Sequence, residues 1–172
     1  MGSEMCIRDR VCLLGAFSVG KTSLVRRFVH SAFSDRYLTT VGVKIDKKAL
    51  SVGAQELSMI LWDLHGEDRL QAVRETYLRG SAGALLVADG TRPETVEVAL
   101  ALGDRVKRVC GDVPMELLIN KADLEAEWPQ PSEVLGSLGE VRPRLTSAKL
   151  GTGVDEAFQT LAERMLADGS HV

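Results

Sequence analysis

The feature that most constrains the fold of this 172-residue chain is a glycine-rich segment near its N-terminus, Gly15-Ala16-Phe17-Ser18-Val19-Gly20-Lys21-Thr22. It lies between the apolar run of residues 10–14, which is typical of a buried strand, and a helical stripe of apolar residues within 21–30. Its spacing is G-x-x-x-x-G-K-[ST], in which backbone N–H groups at the start of a helix surround phosphate oxygens. Lys21 adds positive charge, and the Thr22 hydroxyl can ligate magnesium. A chance glycine-rich turn would not explain the flanking strand and helix, so the segment predicts a site for a nucleoside triphosphate.

The rest of the chain alternates between strand and helix patterns. Residues 43–52 and 56–63 flank Gly53-Ala54-Gln55 and predict a hairpin. Further strands are predicted at 84–88, 115–119 and 144–146, and helices at 93–109, near 133–138 and at 154–166. Alternating strands and helices favour one α/β domain with a mostly parallel sheet, whose ligands bind beyond the carboxyl ends of the strands.

The domain is expected to span residues 10–168. Residues 1–9 show no periodicity and are predicted to be a leader outside the domain, either disordered or artefactual. Residues 169–172 are predicted to be a short tail.

Composition and charge exclude several classes of protein. The net charge of −3 lacks the basic excess typical of nucleic-acid-binding proteins, so we expect no nucleic acid partner. No apolar run approaches the ~20 residues that a membrane span needs. The three cysteines, Cys6, Cys12 and Cys110, are too few for a disulfide framework and indicate a reducing compartment. We therefore expect a cytoplasmic protein, without a lipid anchor on this chain, that reaches membranes only through partners.

A second loop predicts which base the site binds. Asn120-Lys121-Ala122-Asp123 follows the predicted strand 115–119 and therefore lies at the ligand edge of the sheet. The Asp123 carboxylate can accept from both the ring N–H and the exocyclic amine of guanine, a donor pair that adenine lacks. Lys121 can lay its aliphatic stem along the ring. These residues alone are ordinary turn formers. In a chain that also has a phosphate loop nearer its N-terminus, they predict GTP or GDP as the ligand.

With these motifs the chain resembles the Ras-like small GTPases, and within them the Rab family, over residues 10–166. The resemblance implies a GTPase domain of the phosphate-loop type: a sheet of about six strands with one antiparallel strand and helices on both faces. Besides the two loops above, it rests on the segments Tyr37-Leu38-Thr39-Thr40-Val41-Gly42, Asp63-Leu64-His65-Gly66 and Thr146-Ser147-Ala148-Lys149. Rab-like details are Trp62, Tyr77-Leu78-Arg79-Gly80 and Leu86-Val87-Ala88-Asp89.

The resemblance also implies roles for individual residues. Thr40, with Thr39 as the alternative, would join Mg²⁺ and the γ-phosphate. The Gly66 N–H would meet the γ-phosphate, and the Ala148 N–H the guanine carbonyl oxygen. Phe33 would either contact the guanine or belong to the core. The implied metal ligands are Thr22, Thr40 and Asp63, and the implied catalytic residues are Lys21, Thr40, Gly66 and Glu67. The implied nucleotide-binding residues are Ala16, Phe17, Ser18, Val19, Gly20, Lys21, Thr22, Ser23, Phe33, Tyr37, Thr40, Gly66, Asn120, Lys121, Asp123, Ser147, Ala148 and Lys149.

Three residues depart from the family pattern. Glu67 stands where the family has a water-orienting glutamine; it would either accept from the attacking water or be a solvated surface residue. His65 replaces a small residue, and is either part of the site or a spectator. Phe17 also replaces a small residue, and its ring is expected to obstruct an arginine supplied by a partner.

We therefore expect a GTP/GDP switch, a hydrolase that cleaves GTP slowly with Mg²⁺ and contacts effectors and regulators through residues 35–80. The alternative is a GTP-binding interaction module with little or no hydrolysis. A kinase or ATPase is disfavoured because Asp123 selects guanine. The missing lipidation site leaves three alternatives: a prokaryotic type of protein, a truncated chain, or membrane contact through partners.

Overall fold

Strands and helices alternate along the chain. The computed structural model describes residues 7–30, 43–64, 75–129, 135, 138 and 141–168. In chain order the elements are β1 (Ile7–Gly15), α1 (Lys21–His30), β2 (Val43–Val52), β3 (Gln55–Leu64), α2 (Glu75–Leu78), β4 (Gly83–Asp89), α3 (Glu94–Cys110), β5 (Met115–Asn120), a 3-10 helix (Ala122–Glu127), β6 (Arg144–Leu145) and α4 (Val154–Ala167).

The strands form a six-stranded sheet in the order β2-β3-β1-β4-β5-β6. Only the β2–β3 pairing of this sheet is antiparallel, and the other neighbouring strands run parallel. The carboxyl ends of β1, β4 and β5 therefore meet at one edge. The phosphate loop (residues 15–22) and the segment Asn120-Lys121-Ala122-Asp123, called the guanine loop below, both begin there. This confirms the predicted fold class.

Strand β1 is longer than its predicted extent of residues 10–14. It begins at Ile7, since β3 offers a parallel partner from Leu57 onward and pairs Ile7 with Leu57 and Asp9 with Met59. This corrects the predicted strand boundary, because residues 7–9 pair with the sheet. Of the leader predicted over residues 1–9, residues 1–6 lie outside the described residues, as do the tail 169–172 and most of the helix predicted near 133–138.

Alternate residues of β1 point into two apolar clusters, one on each face of the sheet. Val11 and Leu13 belong to the cluster covered by α1 and α4, whereas Cys12 and Leu14 belong to the one covered by α3. This alternation is the two-residue period of a strand buried on both sides. Among the described helices, none has the length and apolar content that crossing a bilayer would require.

Two aromatic rings join the helices of the first cluster. Phe28 of α1 stacks on Phe158 of α4, with ring centroids 3.9 Å apart and planes 3° from parallel. Both rings are buried, so this pair fixes α1, and with it the end of the phosphate loop, against the C-terminal helix.

Removing one ring should therefore be costly. We expect Phe158→Ala to lower the free energy of unfolding by about 3–5 kcal/mol, through lost burial and the cavity left beside Phe28. Urea unfolding measures this. Leu150→Ala is the control, because Leu150 is 65% exposed and its truncation should cost at most about 0.5 kcal/mol. Equal losses for the two variants would contradict the packing described here.

Candidate nucleotide-binding site

The phosphate loop folds around its own lysine. Ser18 and Gly20 have the left-handed φ angles 63° and 103°, which turn the chain from β1 into α1. The Lys21 ammonium donates to the carbonyl oxygens of Gly15 at 3.0 Å and Ala16 at 3.1 Å. The Lys21 ammonium group is therefore enclosed by the backbone of the loop, and its positive charge is placed where it could bind a phosphate group.

The Lys21 side chain is only 5% exposed. Burial lowers the pKa of Lys21 to about 8, while Asp63 acts to raise that pKa and Arg92 to lower it further. The group still carries its charge at neutral pH, in surroundings where an anion would be attracted more strongly than in water.

Glycine is required where the two loops touch. A Cβ atom on Gly20 would lie 2.3 Å from the amide nitrogen Nδ2 of Asn120, and one on Gly15 would lie 2.3 Å from the carbonyl oxygen of Val87. Both glycines of the motif thus permit the backbone of the phosphate loop to lie directly against its neighbours.

Thr22 and Asp63 bring two side-chain oxygen atoms together at the start of α1. The Thr22 hydroxyl donates to Asp63 Oδ2 at 2.5 Å, and Asp63 lies buried near the end of β3. Hydroxyl and carboxylate oxygens are donors that Mg²⁺ accepts, usually with water and phosphate oxygens completing its shell. No group of three or more His, Cys, Asp or Glu side chains that could hold a metal occurs in the described residues. This donor set therefore fits Mg²⁺ shared with phosphates.

Asn120 joins three segments of the site. Its Nδ2 donates to the Val19 carbonyl at 3.0 Å, and its Oδ1 accepts from the Thr146 hydroxyl at 3.2 Å and the Ala148 N–H at 3.3 Å. The residue is buried, so these bonds satisfy an amide that has no access to water. The Ala148 N–H is also predicted to contact a guanine. It would then either bond both the guanine and Asn120 or exchange its long bond to Asn120 for the guanine.

The Asp123 carboxylate is oriented by Ser147. The Ser147 hydroxyl donates to Asp123 Oδ1 at 2.8 Å and accepts from the Leu150 N–H at 3.0 Å. Because Asp123 is an exposed residue fixed at one oxygen, its carboxylate is available to donors on a base.

Residues that the motifs did not predict support the guanine-binding end. Arg27 of α1 donates from Nε to the Ala148 carbonyl at 2.8 Å and from Nη2 to the Lys149 carbonyl at 2.5 Å. It appeared in the sequence only as half of a basic pair, Arg26-Arg27. Its position on the helix that follows the phosphate loop is what brings it to these carbonyls.

Trp128 packs against the guanine loop and bonds its backbone. Its indole N–H donates to the Lys121 carbonyl at 3.1 Å, and Lys121 has the left-handed φ of 68°. A Cβ atom on Gly90 would lie 1.9 Å from the Trp128 ring, so the indole packs against bare backbone. The sequence motifs did not predict the 3-10 helix, Ala122–Glu127, that positions Trp128.

Several predicted site residues fall outside the described residues: Phe33, Tyr37, Thr39, Thr40, His65, Gly66 and Glu67. Their roles stay predictions. Phe17 is described, and it is 38% exposed at the rim of the phosphate loop.

Comparison with known proteins identifies the family. The sequence profile of the Ras family matches residues 10–167. This chain belongs to the Ras family. It is similar to the Ras-related protein Rab-21 of Dictyostelium discoideum, at 34% identity over 168 residues that cover 95% of this chain and 79% of that protein. It is 32% identical over 161 residues to Rab-21 of Homo sapiens, covering 91% of this chain and 72% of that protein. The chain is also 32% identical to Rab-13 of Canis lupus familiaris, over 161 residues that cover 91% of this chain and 79% of that protein.

These relatives resolve the main functional alternatives. This Ras-family protein is a small GTP-binding protein that acts as a GTPase switch. The alternative of an interaction module with little or no hydrolysis is not favoured by family membership. The three relatives named come from eukaryotes and give no support to a prokaryotic type.

Gly20 provides a test of the contact between the loops. We expect Gly20→Ala to weaken GDP binding at least tenfold, because its Cβ would displace the Asn120 amide and its φ would be strained. Fluorescent GDP titration measures this. Gly53→Ala is the matched control, since Gly53 also has a positive φ, of 59°, but a Cβ there meets nothing within 4 Å. Unchanged GDP affinity in Gly20→Ala would contradict the proposed clash.

Proposed function

We propose that this protein binds GTP and GDP with Mg²⁺ between the phosphate loop and the guanine loop, and hydrolyses GTP slowly. The observation that supports this best is the Asn120 side chain, which bonds Val19 of one loop and Ala148 beside the other. A single buried amide thereby sets the spacing of the two loops, as a ligand with a base at one end and phosphates at the other requires.

The guanine would be held by Asp123, which accepts from its ring N–H and exocyclic amine, and by Ala148, whose N–H meets its carbonyl oxygen. The Lys121 stem would lie along the ring. Support comes from the orientation of Asp123 by Ser147 and from the buried backbone of Ala148. Phe33, Tyr37 and Lys149 complete the proposed base and ribose contacts.

The phosphates would be held by Lys21 and by the backbone of Ala16, Phe17, Ser18, Val19 and Gly20, with Ser23 at the start of α1. Thr22 and Asp63 would hold Mg²⁺, Asp63 through water, together with Thr40. When bound, Mg²⁺ neutralises charge on the β- and γ-phosphate oxygens. The Lys21 charge and the Gly66 N–H would act on the same oxygens, so catalysis here consists of positioning and electrostatics.

Slow turnover follows from Phe17 and Glu67. A carboxylate at position 67 accepts hydrogen bonds but cannot donate, and it brings negative charge toward the γ-phosphate. The Phe17 ring, which is exposed, would obstruct the approach of an arginine from a partner. We therefore propose that an activating partner, if one acts, supplies another group or repositions Glu67.

Effectors and regulators would bind through residues 35–80. The exposed apolar side chain of Ile45, 55% accessible, supports this, because it is paired across the hairpin with Trp62. Trp62 in turn contacts Tyr77, with ring centroids 6.4 Å apart, and lies 4.3 Å from the Arg10 guanidinium. Such an aromatic and apolar surface suits protein partners. We propose a cytoplasmic protein that associates with membranes through these partners.

The base assignment is tested by Asp123→Asn. An asparagine amide would oppose the guanine donors with its own N–H groups, so we expect GDP affinity to fall at least about 100-fold. Affinity for xanthosine diphosphate should rise instead, because the amide can donate to the additional carbonyl of xanthine. Competition titrations with fluorescent nucleotides measure both. Asp112→Asn is the control, an exposed carboxylate distant from the loops. Unchanged GDP affinity in Asp123→Asn would contradict the assignment.

The hydrolysis assignment is tested by single-turnover GTP cleavage. We expect a wild-type rate of about 10⁻⁴ to 10⁻² s⁻¹, as for GTPases to which no partner supplies an arginine. Glu67→Ala should lower that rate at least tenfold if the carboxylate accepts from the attacking water. Glu163→Ala, an exposed glutamate on α4, is the control.

A wild-type rate far above this range that is unchanged in Glu67→Ala would contradict the proposed catalytic site. Intact GTP in the purified protein with no phosphate release over days would instead support the module without useful hydrolysis.

A further inference from the structure

Strand β4 lies between the strands that lead into the two loops, and it ends on a buried acid. In the sheet order β1-β4-β5, the phosphate loop follows β1 and the guanine loop follows β5. Asp89, the last residue of β4, has a side chain with 0% exposure. A carboxylate without water must be compensated by other groups of the protein.

Groups from three residues satisfy that carboxylate. Oδ2 accepts from Lys121 Nζ at 2.7 Å and from Arg92 Nε at 3.1 Å, and Oδ1 accepts from the Thr91 N–H at 2.9 Å and the Thr91 hydroxyl at 2.6 Å. Burial raises the pKa of Asp89, but the hydrogen bonds from Lys121 and Thr91 outweigh it and lower the pKa overall. The group is therefore a fixed negative charge shared by two cations.

Arg92 has a second contact that Lys121 lacks. Its Nη2 donates to the Phe17 carbonyl oxygen at 2.7 Å while its Nε remains on Asp89. The planar guanidinium can make both bonds because its donors lie in a fixed fork, whereas a lysine has one nitrogen. The Thr95 hydroxyl donates to the Arg92 carbonyl at 2.7 Å and so secures the backbone from which the side chain extends.

These contacts form a continuous chain from the guanine loop to the phosphate loop, through Lys121, Asp89, Arg92 and Phe17. We propose that Arg92 is a positioning residue that couples the two loops, so that a guanine seated on Lys121 stabilises the phosphate loop at Phe17, beside the γ-phosphate. The inference rests on the proposed function, because it takes the two loops as the base and phosphate subsites. It adds to that function a residue outside both sequence motifs.

The position of Arg92 also places positive charge near the phosphates. Its Nη2 lies 2.7 Å from the Phe17 carbonyl oxygen, so the guanidinium charge is at the phosphate loop itself. A ligand with one more phosphate, and hence more negative charge beside residue 17, should depend more strongly on the Arg92 contact. Loss of Arg92 should therefore affect bound GTP more than bound GDP.

The experiment measures dissociation rates of fluorescent GDP and of a fluorescent, non-hydrolysable GTP analogue. For Arg92→Ala we expect both rates to rise, by about tenfold for GDP and by at least threefold more for the GTP analogue. Arg92→Lys keeps the charge beside the buried Asp89, so the fold is retained, but it cannot bond Asp89 and Phe17 together. It should therefore resemble Arg92→Ala.

Arg108→Ala is the matched control, because it removes an exposed arginine from the last turn of α3, the helix that begins two residues after Arg92. Its two dissociation rates should stay within about twofold of wild type. Wild-type rates in Arg92→Lys, or an equal rise for both nucleotides in Arg92→Ala, would overturn the coupling role while leaving the proposed function intact. A wild-type protein that binds no GDP would overturn the proposed function itself.

Discussion

The arrangement of the whole site depends on one buried amide, the side chain of Asn120. It bonds the backbone of Val19 and of Ala148, and it leaves no room for a side chain at position 20. An unsatisfied amide in this position would lose its hydrogen bonds to water without replacement. The phosphate loop and the guanine loop are therefore held at one separation by hydrogen bonds within the protein. The parallel sheet makes this possible, because it ends β1 and β5 at the same edge.

Buried charges are the second constraint, and each is compensated locally. Lys21 lies across the carbonyls of its own loop, Asp63 accepts from Thr22, and Asp89 accepts from two cations. Such groups lower stability unless they are paired, so their presence at the ligand edge reflects function more than folding. They give the edge a pre-arranged electrostatic field that suits an anionic ligand.

Most of the fold could be predicted from the sequence, and the reasons differ between elements. Strand β4 was predicted because its centre is a continuous apolar run, and β5 because it is apolar apart from Glu116 and its last residue, Asn120. The β2–β3 hairpin was predicted because Gly53-Ala54-Gln55 separates two strand-like segments. The start of β1 was predicted too late, since Arg8 and Asp9 are charged and residues 7–9 join the sheet only because β3 extends alongside them. The 3-10 helix at Ala122–Glu127 was missed because it is only six residues long. It has three residues per turn and so does not show the 3.6-residue apolar period that predicts an α-helix.

What the sequence by itself determined is the chemistry of the ligand: a phosphate loop, a guanine loop and their order along the chain. Such motifs act through local spacing, which fixes backbone geometry without reference to distant residues. What only the tertiary structure decided is how the loops are supported, by Asp89, Arg92, Trp128 and Arg27. Arg92 contacts a residue 75 positions away and Arg27 one 121 positions away. No local pattern encodes those pairings, because they exist only once the sheet brings the strand ends together.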